Sequence, residues 1–137
     1  MPTRDQRYAV DVLKKVELVR QNPQYKKYGA ISHALPILIH TAGLAQALAF
    51  VDSRKEAIFK TFLADLSQTV VGDEALLLKK SREDDLMPYI YLTRQVLAAL
   101  VWYKRFAQSI LQVESSESLD LSNTDISDTD SQRQEQL

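Results

Sequence analysis

Apolar side chains recur along this chain with a helical period. Tyr8, Val12, Val16 and Val19 fall three or four apart and predict a first helix from about Thr3 to Gln21. Asn22-Pro23 stops it, because proline has no amide to donate and its ring clashes with the preceding turn. A basic connector follows, Tyr25-Lys26-Lys27-Tyr28-Gly29-Ala30. Ser32 to Phe50 predicts a second helix. Ile58, Phe59, Phe62, Leu63 and Leu66 share one face of a third, about Ser53 to Thr69, which Gly72-Asp73 interrupts. A short fourth runs from about Glu74 to Ser81. A long fifth, about Asp85 to Val113, carries the stripe Tyr89, Leu92, Val96, Leu100, Tyr103, Ala107 and Ile110. Nothing alternates with period two over a useful length, and no internal repeat is visible. The expected fold class is all-α: one bundle of about five helices over residues 1–113.

The second helix poses the main question. Residues 34–51 hold no charge, yet they include Pro36, His40, Gly43 and Gln46. As a membrane span the run is short: 18 residues cover about 27 Å, against about 30 Å of hydrocarbon. As a metal site it lacks ligands. His33 and His40 lie seven apart, about 10.5 Å along a helix, and no carboxylate occurs between Glu17 and Asp52. The reading adopted is a central helix. Leu35, Leu38, Ala42, Ala45 and Ala49 mark one face, and Pro36, Ile39, Gly43, Ala47 and Phe50 another, so it is buried on several sides. A mid-helix Gly43 costs about 1 kcal/mol relative to alanine. Close approach of a neighbouring helix at Gly43/Ala47 would offset that cost, and Gln46, if buried, must find hydrogen-bond partners.

Candidate chemistry is sparse. With no cysteine there is no disulfide or thiolate chemistry, in keeping with a reducing cytoplasm. The N-terminus lacks the apolar core of a signal peptide. No GxSxG or SxxK nucleophile motif occurs, and the glycines at 29, 43 and 72 are too scattered for a phosphate-cradling loop. Asp84 and Asp85 suit a helix start. The expectation is a non-enzyme without catalytic residues, metal site, cofactor or membrane span.

Charge changes the picture more. Residues 1–113 carry 16 Lys/Arg against 11 Asp/Glu, a surplus of +5, while residues 114–137 carry 1 against 7, or −6. The body is basic. The tail, rich in serine and acids and without an aromatic residue, cannot bury enough surface to offset its ordering entropy and is expected to be disordered. A flexible chain of 24 residues reaches roughly 25–30 Å, enough to fold back over such a body.

Within the body, two basic pairs are framed by aromatics: Tyr25-Lys26-Lys27-Tyr28 and Tyr103-Lys104-Arg105-Phe106. Arg94 and Arg105 are eleven apart and point the same way, as do Arg7 and Lys14 on the first helix. Such rows suit a phosphate backbone, with the aromatics available to stack on bases. Lys26, Lys27, Arg94, Lys104 and Arg105 are the candidate nucleic-acid contacts. The competing reading makes them solvated faces of a helical protein–protein adaptor.

The stretch YKKYGAISHALPILIHTAGLAQALAF, followed downstream by YIYLTRQVLAALVWYKRFA, resembles the small helical subunit of type III-B CRISPR effector complexes. The KKYG connector, the Leu35-Pro36 pair, the GL-x-QALAF segment over 43–50 and the W-x-KRFA ending over 102–107 all fit that pattern. Ala34 departs from it, standing where the family is expected to carry lysine, and so removes one phosphate contact. The resemblance covers about residues 5–113. It implies a non-catalytic cytoplasmic subunit. Copies of it stack into a filament beside other effector subunits and form, opposite the guide, a basic channel for target RNA. The equivalent type III-A subunit is a near variant.

Overall fold

The computed structural model describes residues 1–115. They form six α-helices: α1 Arg4–Val19, α2 Tyr25–Ala42, α3 Leu44–Ser53, α4 Ala57–Val71, α5 Leu76–Glu83 and α6 Leu86–Ser109. No strand occurs among the described residues. The tail expected to be disordered lies outside them beyond Ser115.

Local chemistry explains most boundaries. Thr3 caps α1 through a reciprocal pair. Its hydroxyl accepts from the Gln6 amide at 3.1 Å, and the Gln6 side chain accepts from the Thr3 amide at 2.7 Å. After α1, the Asn22 side chain accepts from the Gln24 amide at 2.8 Å and turns the chain around Pro23. The basic connector is not a connector: Tyr25 to Ala30 form the opening turns of α2. Within these turns Tyr28 is drawn fully into the core.

The uncharged run differs most from expectation. One helix over Ser32–Phe50 is two, and the break is Gly43, with φ +88° and ψ 161°. Only glycine occupies that region readily. The Gly43 amide still donates to the Ile39 carbonyl at 2.8 Å, closing α2, and its carbonyl accepts from Ala47 at 3.0 Å, opening α3. The phenol oxygen of Tyr89 accepts from the Ala45 amide at 3.1 Å, satisfying one open donor of α3. Gly43 is therefore a hinge between helices rather than a point of close helix crossing. A Cβ there would meet only the Tyr89 hydroxyl, at an ordinary 3.4 Å. Ala47 is buried as expected, whereas Gln46 is exposed and needs no internal partner. Because backbone strain and not crowding limits residue 43, Gly43→Ala and Gly43→Leu are each expected to destabilise by about 2 kcal/mol. Thermal melts in which leucine costs far more than alanine would restore the crowding explanation.

The bundle is built around α6, which packs most extensively against α1 and α2. α2 and α6 run antiparallel: Tyr28 meets Tyr103 at one end, and Tyr89 meets Ala45, just past α2, at the other. The centre is aromatic. Tyr28 and Phe62 pack edge to face at 5.1 Å, and Phe62 and Tyr103 at 5.4 Å, all three fully buried. Polar atoms around them are paired across four helices. The Tyr28 hydroxyl donates to Asp65 at 2.7 Å. Thr69 donates to Asp11 at 2.6 Å and lies 3.0 Å from the Tyr103 hydroxyl. Lys15, itself buried, pairs with Asp11. Burial pushes the Asp65 carboxyl above its ordinary range, opposed by the Tyr28 hydrogen bond and the nearby Lys15.

Candidate nucleic-acid interface

Helix α2 starts, and α6 approaches its end, at the same end of the bundle. Tyr28 and Tyr103 turn inward and their rings lie 6.3 Å apart. The cationic residues beside them, Lys26 and Lys27 on one helix and Lys104 and Arg105 on the other, are thereby carried to the same end of the bundle. Lys26, Lys104 and Arg105 are exposed, and Lys27 is half-buried with its Nζ 3.5 Å from Glu56. That contact also brings the loop between α3 and α4 to the site, and with it the exposed Lys55. Sequence reasoning passed over Lys55, since no local pattern marks it. Arg94 is exposed, eleven residues before Arg105, so the two share a row about 16 Å long on α6. Among the described residues, Lys26, Arg94, Lys104 and Arg105 make no ion pair. Arg20 is paired with Glu17 at 3.2 Å, which neutralises it locally.

The framing aromatics divide. Tyr28 and Tyr103 are sealed in the core, so neither is available to stack on a base; their spacing follows the helix stripe. Tyr25 and Phe106 are half-buried, and Phe106 stacks on Trp102 with ring centroids 5.8 Å apart. The site as built therefore offers mainly point charges, which hold phosphates without reading sequence.

A second basic feature lies further along α6, in an open cleft of about 400 Å³ between α1, α4 and α6. Arg4, Arg7 and Tyr91 line it, with Tyr8 in its wall. Burial pushes the Tyr8 phenol up, keeping it protonated, while Arg4, whose guanidinium lies 5.8 Å from the ring centroid, acts against that rise. Tyr91 is 58% exposed. Sequence periodicity could not single it out, because it falls outside the buried stripe of its helix.

The two histidines are far from sharing an ion. His33 is buried, and its Nε2 lies 2.8 Å from the Val113 carbonyl, so this nitrogen must donate. His40 is exposed. Among the described residues no group of three His, Asp or Glu side chains could hold a metal, and no helix is long and apolar enough to cross a membrane. Asp11 and Asp65 are committed to Thr69, Lys15 and Tyr28, in a network that ties helices together.

Comparison with known proteins agrees with this fold. Residues 4–110 match the family model described as CRISPR-associated protein (Cas_Cmr5). The chain is 42% identical over 114 residues to the CRISPR system Cmr subunit Cmr5 of Thermus thermophilus, spanning 82% of this chain and 99% of that one. It also superposes on the crystal structure of a Cmr5 family protein from the same organism with a TM-score of 0.77 and 41% identity, covering 81% of this chain and 99% of the other. Match length, identity and fold coincide over the whole helical body, and the chain belongs to the Cmr5 family of CRISPR-associated proteins.

Proposed function

We propose that this chain is a non-catalytic structural subunit of a type III-B CRISPR ribonucleoprotein in the cytoplasm. In this reading it packs against copies of itself and other subunits, and its basic end lines the channel for target RNA opposite the guide. The observation that carries the RNA role is the placement of Lys26, Lys27, Lys104 and Arg105, from opposite ends of the helical sequence, at the same end of the bundle, with Arg94 in line with Arg105 along α6. An exposed apolar edge at the start of α6, Leu86, Met87, Ile90 and Tyr91, supports a role in packing against neighbouring subunits. The kinship is with a Cmr subunit, which favours type III-B over type III-A.

Replacing Lys26, Lys27, Lys104 and Arg105 together by alanine tests the reading. In the assembled complex, target binding is expected to weaken alike for all sequences. The dependence of log affinity on log salt is expected to flatten by about 0.7 for each single-strand phosphate that the variant no longer neutralises. Unchanged affinity and slope would exclude an RNA-facing role for this end and leave the adaptor reading.

A further inference from the structure

We propose that residues 116–137 dock in cis on the basic end of the bundle, where α2 starts and α6 finishes, occupying the surface assigned above to RNA. The RNA consequence rests on that assignment; the docking itself does not.

The argument begins with where the described chain ends. Beyond α6 the backbone reverses through Gln112, at φ +59°, and the next residue is pinned on every side. The Val113 amide donates to the Ala107 carbonyl at 2.9 Å, and its carbonyl accepts from His33 at 2.8 Å. Its side chain is 1% exposed and packs against Gly29. Gly29 lies one turn after Lys26 on the same face of α2, about 4.5 Å along the axis. Ala107 lies within one turn of Lys104 and Arg105. The chain therefore leaves the body at the end of the bundle where α2 starts and α6 finishes, and Glu114 and Ser115 are already there, exposed.

Charge and length are matched to this exit. Residues 116–137 hold six acidic side chains, at 117, 120, 125, 128, 130 and 135, against Arg133 alone, a net charge of −5. At that end Lys26, Lys104 and Arg105, and further along α6 Arg94, have no acidic partner among the described residues, where Glu56 is the carboxylate paired with Lys27. A random coil of 22 residues spans roughly 23–28 Å, which covers the row from Arg105 to Arg94. A single exposed ion pair is weak. A tether starting at the site, however, supplies the acidic groups at an effective concentration on the order of millimolar. Such a contact yields to a polyanion bound through many phosphates and excludes casual ones, so unassembled subunits would bind stray RNA poorly.

The absence of cysteine permits a direct test on the full chain. A nitroxide placed through Ser127→Cys is expected to broaden amide resonances around Lys26, Lys27, Lys104 and Arg105 at about 20 mM salt. At about 0.5 M, where the Debye length falls to roughly 4 Å, the broadening is expected to fade. Changing the six acids to their amides, from Glu117→Gln and Asp120→Asn through Glu135→Gln, is expected to abolish it at any salt. Broadening that is absent, spread evenly over the body or indifferent to these changes would overturn the docking. In a second arm, the amide variant is expected to bind an oligouridylate at least tenfold more tightly than the unaltered chain at low salt, converging at high salt. Localised broadening with equal RNA affinities would uphold the docking and overturn the RNA reading of this surface.

Discussion

Above about pH 10 the stability of this protein is expected to fall by up to about 2.7 kcal/mol per pH unit, from two side chains alone. Tyr28 and Tyr103 are fully buried, and burial, reinforced by the nearby Asp65 carboxylate, pushes both phenols well above the ordinary 10.0. Below that value both are neutral whether the chain is folded or not, and neither makes stability depend on pH. Above it the unfolded chain releases two protons that the folded chain retains. The unfolded state binds fewer protons, so stability falls as pH rises, by about 1.36 kcal/mol per unit for each group. Urea midpoints measured from about pH 9 to about pH 12 would display the slope. Tyrosinate absorbance gives an independent check: of the six tyrosines, Tyr28 and Tyr103 are expected to ionise only as the protein unfolds. Smooth ionisation of all six with the helical signal intact would show that the aromatic centre is open to hydroxide. Tyr103→Phe is expected to flatten the slope by half, which assigns the effect to the buried phenols.

Gly29→Leu is expected to destabilise by about 3 kcal/mol, more than any change at Gly43. A Cβ at residue 29 would lie 2.7 Å from Cβ and from Cγ2 of Val113, and 3.1 Å from its other methyl. Real side chains do not approach so closely, and Val113 cannot retreat. Its amide and carbonyl are both engaged, and moving it would leave the buried His33 without its acceptor. The leucine must expel residues 110–113 from the groove, exposing Leu111 and Val113 to water. Val113→Gly removes all three close atoms. In a double-mutant cycle it is expected to restore a large part of the loss caused by Gly29→Ala, a coupling that distant sites do not show. Additive melts would mean that the C-terminal segment does not pack at residue 29.

The fold class and most of the core were legible in the linear pattern of residues. Helical periodicity depends on neighbours three and four apart, so Val12, Val16, Phe59, Phe62, Leu92, Val96 and Leu100 could be assigned to buried faces without knowing what covers them. Caps and breakers such as Thr3, Pro23 and Gly72 are equally local. The family resemblance, carried by two separated motifs, was legible for the same reason: it is written in linear order. Tertiary structure alone decided the rest. Whether Gly43 sits inside a helix or between two depends on its backbone angle, which the requirement to pack α2 and α3 separately imposes. An uncharged run carries no sign of where it bends. The close approach occurs at Gly29 instead, because the partner is Val113, more than eighty residues away, and no local pattern encodes it. Basic residues were visible as pairs, but their meeting at one end of the bundle, with Lys55 beside them and Tyr28 and Tyr103 withdrawn into the core, follows from the antiparallel packing of α2 on α6. Hydrophobic period fixes which face of a helix is inside; only long-range packing fixes which outer faces become neighbours.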